Sequence, residues 1–471
     1  MKKQIKILTA IIIIFLSSVS YLQAAEPVKP VKNKYFELDN GLQVFLEVRD
    51  KIPMINIGFA VDVGSKNENE ETSGLVHLLE HLILLGGGKS YPTARLMKEI
   101  RNRGLYFNAH TGHDMMTLDI SAPKAQTDFA LQLVFEKAFN LELNDGELQK
   151  EKKVILEELA QIGDDPAKLG ISLTFQSLFS DHPYEKPVSG TKEIIENADI
   201  ATLQTFQKKY FFPSNCALAV VGDLDIEDAA KKIKKIFGKL ENPEISLPKL
   251  NIVPPLKKII KIERELDVTQ GHLFIGYIAP DSNHKDKLAM DVITRILGRG
   301  VSPMLINALR GGRLRLVDRA SMSYYNLKYG GAVLIHMILE PKNINRARKE
   351  LFKFLRRANS LNYTINDFLP ANRRFATDYL ETAKNGMQLS SRQFMEQGLN
   401  LALSYARYML FNETNYKKSY KERIAEISSS KLRKTVLNYF SGKKYVSVAI
   451  TPQKNKEKSK GKNKGKNKEK K

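Results

Sequence analysis

The chain has 471 residues, 42% of them apolar, enough for two domains with sizeable buried cores. Its single cysteine, Cys216, excludes an intrachain disulfide and any cysteine-based metal cluster. The formal charge of +22 is unevenly spread: Lys454 to Lys471 holds ten lysines against two glutamates, a Lys/Asn/Gly run too polar to bury a core, and no nucleic-acid recognition motif accompanies it.

In chain order, residues 1–25 read as a secretory signal peptide. Lys2, Lys3 and Lys6 precede an uncharged, mostly apolar run from Ile7 to Leu22, and Ala24 and Ala25 offer a cleavage point. The run is shorter than the ~20 residues of a spanning helix, so the expectation is an exported, periplasmic or secreted protein with no transmembrane segment in its mature form. An uncleaved anchor is the alternative.

A first domain is expected over 34–240. Asp39-Asn40-Gly41 between strand-like runs marks a hairpin from Tyr35 to Leu46, because Asn-Gly tolerates the positive φ angles of a tight turn. A strand from Met54 to Val63 follows. Helices are predicted over 73–85, 94–103, 124–141, 145–162 and 199–210, with strands near 105–120 and 216–222. The proline-rich, aperiodic stretch 241–258 reads as a linker. A second domain, 259–451, is expected to contain a strand at 272–279, helices at 285–298 and 303–310, and strands near 314–325 and 330–339. Long helices then run to about 440, before a last strand at Tyr445 to Ile450. Residues 452–471 form the disordered tail. Interleaved helices and hairpins give an α+β fold: two similar domains, each a mostly antiparallel sheet packed with helices.

The first predicted helix carries His77-Leu-Leu-Glu80-His81, with Ser73 placed to cap its start and Gly86 to end it. His77 and His81 are one turn apart, so both imidazoles can reach one metal ion. Glu80 lies beside them and can take a proton from water without being a ligand. The helix is otherwise apolar nearly all round, and two histidines and a glutamate in that setting need partners. A catalytic zinc site needs a third protein ligand. Among the acids of the 145–162 helix, Glu158 shares a face with Val154, Ile155 and Ile162, whereas Glu157 sits among Lys150, Lys153 and Gln161. Glu158 is therefore the expected ligand, and Glu151, two turns earlier on its face, a carboxylate that orients a histidine. Hydrogen-bonded core histidines are the bland alternative.

With these residues in view, the chain resembles the inverzincin peptidases: the pitrilysin, insulin-degrading enzyme and mitochondrial processing peptidase family. His77 to His81 match its metal helix, and Glu151-Lys-Lys-Val-Ile-Leu-Glu-Glu158 its second one, over a resemblance running from about Lys34 to Ile450. It implies a zinc-dependent endopeptidase whose domains close around an unfolded peptide. Tyr106-Phe107-Asn108-Ala109 resembles the edge strand that pairs with substrate backbone, which makes Asn108 and Ala109 substrate-binding candidates. The nearby His110 and His113 lack ligand spacing. The family pairs an arginine with a tyrosine seven residues later, both reaching the bound peptide. Here Arg310 is present, but Val317 stands at the tyrosine position and cannot donate a hydrogen bond. Some family members divide the work between two subunits, so the expectation is a metal-bearing subunit with a homologous partner supplying arginine and tyrosine. A homodimer or single-chain enzyme using Tyr324 or Tyr325 is the alternative, and a non-catalytic assembly subunit on the same fold is the competing function.

Overall fold

The computed structural model describes residues 31–89, 92–300, 303–311, 314–360, 379–412 and 420–453. The expected signal peptide and the tail from Lys454 onward lie outside the described residues.

The Asn-Gly hairpin forms as expected. Strands β1 (Asn33–Glu37) and β2 (Gln43–Val48) pair antiparallel with Glu37 opposite Gln43, and Gly41 turns the chain at φ 86°. Then come β3 (Met54–Val61), helix α1 (Leu75–Leu85), the two-residue β4 (Gly87–Gly88) and α2 (Thr93–Asn102). The 105–120 stretch is a hairpin of β5 (Tyr106–Thr111) and β6 (Met116–Pro123). It leads into α3 (Thr127–Ala138), β7 (Leu141–Glu142), the long α4 (Asp145–Asp164) and α5 (Pro166–Leu178). The half ends with α6 (Lys192–Asn197), α7 (Ile200–Tyr210), β8 (Cys216–Gly222) and α8 (Ile226–Phe237). Six strands make one sheet in the order β1-β2-β8-β3-β6-β5, which leaves β5 at an edge. Strand β8, Cys-Ala-Leu-Ala-Val-Val-Gly, is buried throughout, as suits a continuous apolar run covered on both faces.

The second half repeats this plan with β9 (Ile260–Leu266), β10 (Gly271–Ala279), α9 (Lys287–Gly298), α10 (Met304–Arg310), β11 (Arg319–Asn326) and β12 (Gly331–Leu339). Helices α11 (Ile344–Ala358), α12 (Tyr379–Glu396), α13 (Gly398–Phe411), α14 (Tyr420–Ala425) and α15 (Ser429–Tyr439) precede β13 (Val446–Pro452). Its sheet runs β11-β12-β10-β13-β9. Read from the free edge, β11-β12-β10-β13-β9 matches β5-β6-β3-β8-β2 in every pairing sense, including the parallel last pair. The expected fold of two similar α+β domains is therefore what forms.

The halves are joined by an exchange of helices that the sequence did not announce. Helix α5 lies on β10 and β13 of the other half, where a side chain at Gly170 would enter the Phe274 ring. Reciprocally, α13 lies on β3 and β8 through Ala402, Ala406 and Leu410 against Ala60, Ala217 and Ala219. Small residues bring that helix so close that a Cβ on Gly58 would sit 2.6 Å from the Leu403 nitrogen. The 241–258 stretch contains no helix or strand, yet it is docked rather than loose: Val253 is buried and donates its N–H to Tyr329 O at 2.8 Å. Among the described residues no helix is long and apolar enough to cross a membrane.

Because the obstruction at Gly58 is backbone, Gly58→Val is expected to cost about 1–3 kcal/mol of stability. Urea denaturation measures this, and an unchanged midpoint would show that the α13 contact does not bind the halves together.

Candidate metal centre

Helix α1 begins at a buried, left-handed Gly74 (φ 99°) pressed against Gly190. The expected cap by Ser73 does not form, and its hydroxyl has no partner among the described residues. The Glu68 carboxylate takes that role, accepting from the Gly74 and Val76 N–H groups at 2.9 Å each. A side chain reaching back from a preceding turn can satisfy two exposed N–H groups where a tightly packed glycine leaves the neighbouring serine no room. Burial pushes the Glu68 carboxyl up to about 8 against the pull of those two donors. Leu75, Val76, Leu78, Leu79, Leu82 and Ile83 are buried, which fixes the helix's rotation and turns His77 and Glu80 toward an open cavity, with His81 half-buried beside them.

Helix α4 lies against α1 and completes the constellation. His77 Nε2 and His81 Nε2 are each 3.8 Å from the same oxygen, Glu158 Oε2. One candidate ligand atom from each residue falls within 4.8 Å of the others, and the two imidazoles meet edge to face at 4.8 Å between centroids. Neighbouring ligands of a tetrahedral zinc ion with bonds of ~2.1 Å are about 3.4 Å apart, so around an ion the two 3.8 Å pairs would close slightly and the remaining pair, within 4.8 Å, would close further. Burial, with the nearby His81, pushes His77 down to about 4, leaving a neutral imidazole whose lone pair is available. On the far side of His81, Nδ1 lies 3.2 Å from the buried Glu151 Oε2. A proton on Nδ1 donated to that carboxylate leaves Nε2 free to ligate. Two imidazoles and a carboxylate, with the second ring orientated from behind, fit a zinc ion.

Ile155 is buried, but Val154 is exposed, and Glu158 itself is half-exposed on the cavity rather than turned into the core. Glu157 faces solvent, as expected. Glu80 also lines the cavity, and burial raises its carboxyl above the ordinary range while Thr111, His81 and His110 pull it back.

The cavity is about 690 Å³ and is walled by β5, α4, α5 and residues of the second half. Ala109 is buried in β5, and its N–H donates to the Asn108 side chain at 2.9 Å. His110 reaches Asp119 at 3.2 Å, and His113 is stacked on Phe175 and bonded to Ser65, so neither joins the three converging ligands. Arg310 is exposed at the end of α10 and does not line this cavity, while Val317 is buried in the second core. Of the two tyrosines considered, Tyr325 and not Tyr324 lines it; the Tyr324 hydroxyl is engaged with Pro280 O at 2.6 Å.

A buried polar network holds the second half at this site. The Tyr184 hydroxyl donates to Asp114 Oδ1 at 2.5 Å and accepts from the Tyr329 N–H at 3.1 Å; the Lys328 N–H donates to Asp114 Oδ2 at 2.9 Å. Lys328 Nζ reaches Asp62 at 2.6 Å, as does Lys66. Burial works against the Asp62 charge, but the two lysines together hold its carboxyl below the usual range. Glu68, Asp114 and Lys328 escape sequence reading because their partners lie on other segments, beyond any local period.

The chain is similar in sequence and fold to several known proteins. The model for insulinase (peptidase family M16) matches residues 43–192, and that for the peptidase M16 inactive domain matches 197–366. A protein called zinc protease PqqE from Helicobacter pylori is 24% identical over 94% of this chain and 98% of its own length. An uncharacterized zinc protease, YmxG, from Bacillus subtilis is 25% identical over 59% of this chain and 66% of its own. Among solved structures, a protease from Helicobacter pylori superposes with a TM-score of 0.80 at 23% identity, covering 90% of this chain and all of that one. A peptidase M16 inactive domain from Pseudomonas fluorescens gives 0.78 at 18% identity, covering 90% of this chain and 98% of that one.

Removing the cap that starts α1 leaves two buried N–H groups unpaired, so Glu68→Ala is expected to cost about 1–3 kcal/mol. Chemical denaturation would report it; a loss below about 0.5 kcal/mol, the scatter of ordinary surface changes, would contradict the capping role.

Proposed function

The chain belongs to the insulinase-type M16 peptidase family, and from that premise we propose that it is a zinc-dependent endopeptidase acting on short peptides or unfolded polypeptide segments. The observation that carries the reading is the convergence of His77 Nε2 and His81 Nε2 on one oxygen of Glu158 beside an acid that is not a ligand, Glu80. The inactive-domain match falls on residues 197–366, after all four of these residues, so it does not touch the proposed centre.

His77, His81 and Glu158 would hold the ion. When bound there, zinc supplies Lewis-acid polarisation of water and of the scissile carbonyl. Glu80 is the proton carrier: its carboxylate accepts a proton from water and returns it to the leaving amine. A carboxyl partly lifted by burial is suited to both acts. Glu151 positions the His81 ring through Nδ1. Edge strand β5, with Asn108 and Ala109, offers its open side to an extended backbone, which selects unfolded segments over compact proteins.

The substrate contacts expected from the second half are incomplete in this chain. Arg310 lies off the cavity, and Val317 is core. This supports a metal-bearing subunit that works with a homologous partner supplying arginine and tyrosine. Tyr325 on the cavity wall is what favours the single-chain alternative. Export behind a cleaved signal peptide, into a periplasm or beyond, completes the proposal.

Glu80→Gln is expected to lower peptide hydrolysis by about 10²–10⁴-fold while zinc content, measured by atomic emission, stays at one ion per chain. Hydrolysis that persists in this variant would remove Glu80 from the mechanism. Glu151→Gln is expected to weaken zinc binding by about 10–100-fold in a competition titration against a chromogenic chelator. Unchanged affinity would make Glu151 merely structural. Full activity of the isolated wild-type chain would defeat the partner subunit.

A further inference from the structure

A second cavity of about 790 Å³ lies in the other half of the molecule, on the repeat counterparts of the metal cavity's walls. Helices α9, α12 and α13 and strand β11 stand where α1, α4, α5 and β5 stand in the first half. On α9 the residues facing it are Lys287, Asp291, Thr294 and Arg295, and the last three repeat the sequence spacing of His77, Glu80 and His81 on α1. With a guanidinium in place of an imidazole, this counterpart repels a cation and attracts an anion.

Its wider lining has the same sense. Among the described residues, Lys287, Arg295, Arg299, Arg392, Lys421 and Arg423 line it with one carboxylate, Asp291. Arg423 Nε is buried and has no acceptor among the described residues. Between the charges lie four tyrosines, 324, 405, 408 and 420, and the thioethers of Met387 and Met395, with Phe394 exposed at the rim. Such a wall takes apolar or aromatic groups adaptably.

We propose that this cavity binds an acidic segment of polypeptide, an aspartate or glutamate next to an aromatic or aliphatic residue. A polypeptide suits the position better than a free small anion. Tyr324 lines this cavity and Tyr325 lines the metal cavity, and consecutive residues of a strand face opposite sides. The two cavities thus flank β11, and one extended chain can reach both. Its use in cleavage rests on the peptidase reading; the binding itself does not.

The test is fluorescence anisotropy on the full chain in excess EDTA, with a short fluorescein-labelled peptide containing Glu-Phe-Glu and its Gln-Phe-Gln counterpart. The acidic peptide is expected to bind more tightly, and Arg392→Gln and Arg423→Gln each to weaken it by about tenfold, the effect of losing one charge-assisted hydrogen bond. Lys349→Gln, on α11 away from the cavity, is expected to leave it unchanged. Octanoate, an anion with an apolar body but no peptide backbone, is expected not to displace it. The proposal is overturned if the two peptides bind alike, if Lys349→Gln weakens binding as much as the arginine changes, or if octanoate displaces the peptide. Since no metal is present, a chain that never held zinc would still bind the acidic peptide. A chain that failed to bind it could still cleave short substrates.

Discussion

Two imidazoles one helical turn apart can share a metal ion only if another element brings a carboxylate to the same point and holds the rings in the right tautomer. The peptidase function proposed for this chain depends on the packing of α1 against α4, which does both. Glu158 meets the two Nε2 atoms, and Glu151, two turns earlier, meets His81 from behind. The apolar residues around α1 lock its rotation, and the Glu68 cap fixes where it starts. The histidines themselves contribute little to that rigidity; the helix's buried face imposes it on them.

The next constraint is the exchange of helices. Because α5 packs on the second sheet while also walling the metal cavity, the two halves cannot separate without opening that cavity. The network from Asp62 and Asp114 to Lys328 and Tyr184 acts in the same sense, anchoring the β11–β12 turn beside the first half. Breaking one partner of such a network strands a buried charge or hydroxyl, which costs far more than the pair contributes when intact. The repeat also explains how one architecture can carry two different cavities. The first is lined by histidines and glutamates, and the second by arginines, tyrosines and methionines on equivalent elements.

The parts legible in sequence are those with a local period or a local turn. The Asn40-Gly41 hairpin, the spacing of His77 and His81, the carboxylates Glu151 and Glu158 two turns apart on α4, and the α+β alternation all follow from local sequence pattern. Helix α5 was not legible because it is covered on two sides, by sheet and by cavity, and carries Gly170 in its middle; neither gives a one-sided apolar stripe. Strand β9, Ile-Lys-Ile-Glu-Arg-Glu-Leu, is a charged, largely exposed edge; Ile260, Ile262 and Leu266 alternate on one face, but Arg264 interrupts the signal. Ser73 looked like a helix cap because its residue type and position fit one. The close approach of Gly74 and Gly190, a long-range contact, gave the role to Glu68. Val154 fell on the expected inner face of α4 but is exposed, while Glu158 still arrives where it is needed.

The most direct test of the centre is anomalous diffraction at the zinc absorption edge from crystals of protein purified without chelator. The account predicts one strong peak per chain, lying between the Nε2 atoms of His77 and His81 and the carboxylate of Glu158, with Glu80 outside bonding distance. A peak at any other place, or none after crystals are soaked in zinc, would contradict it.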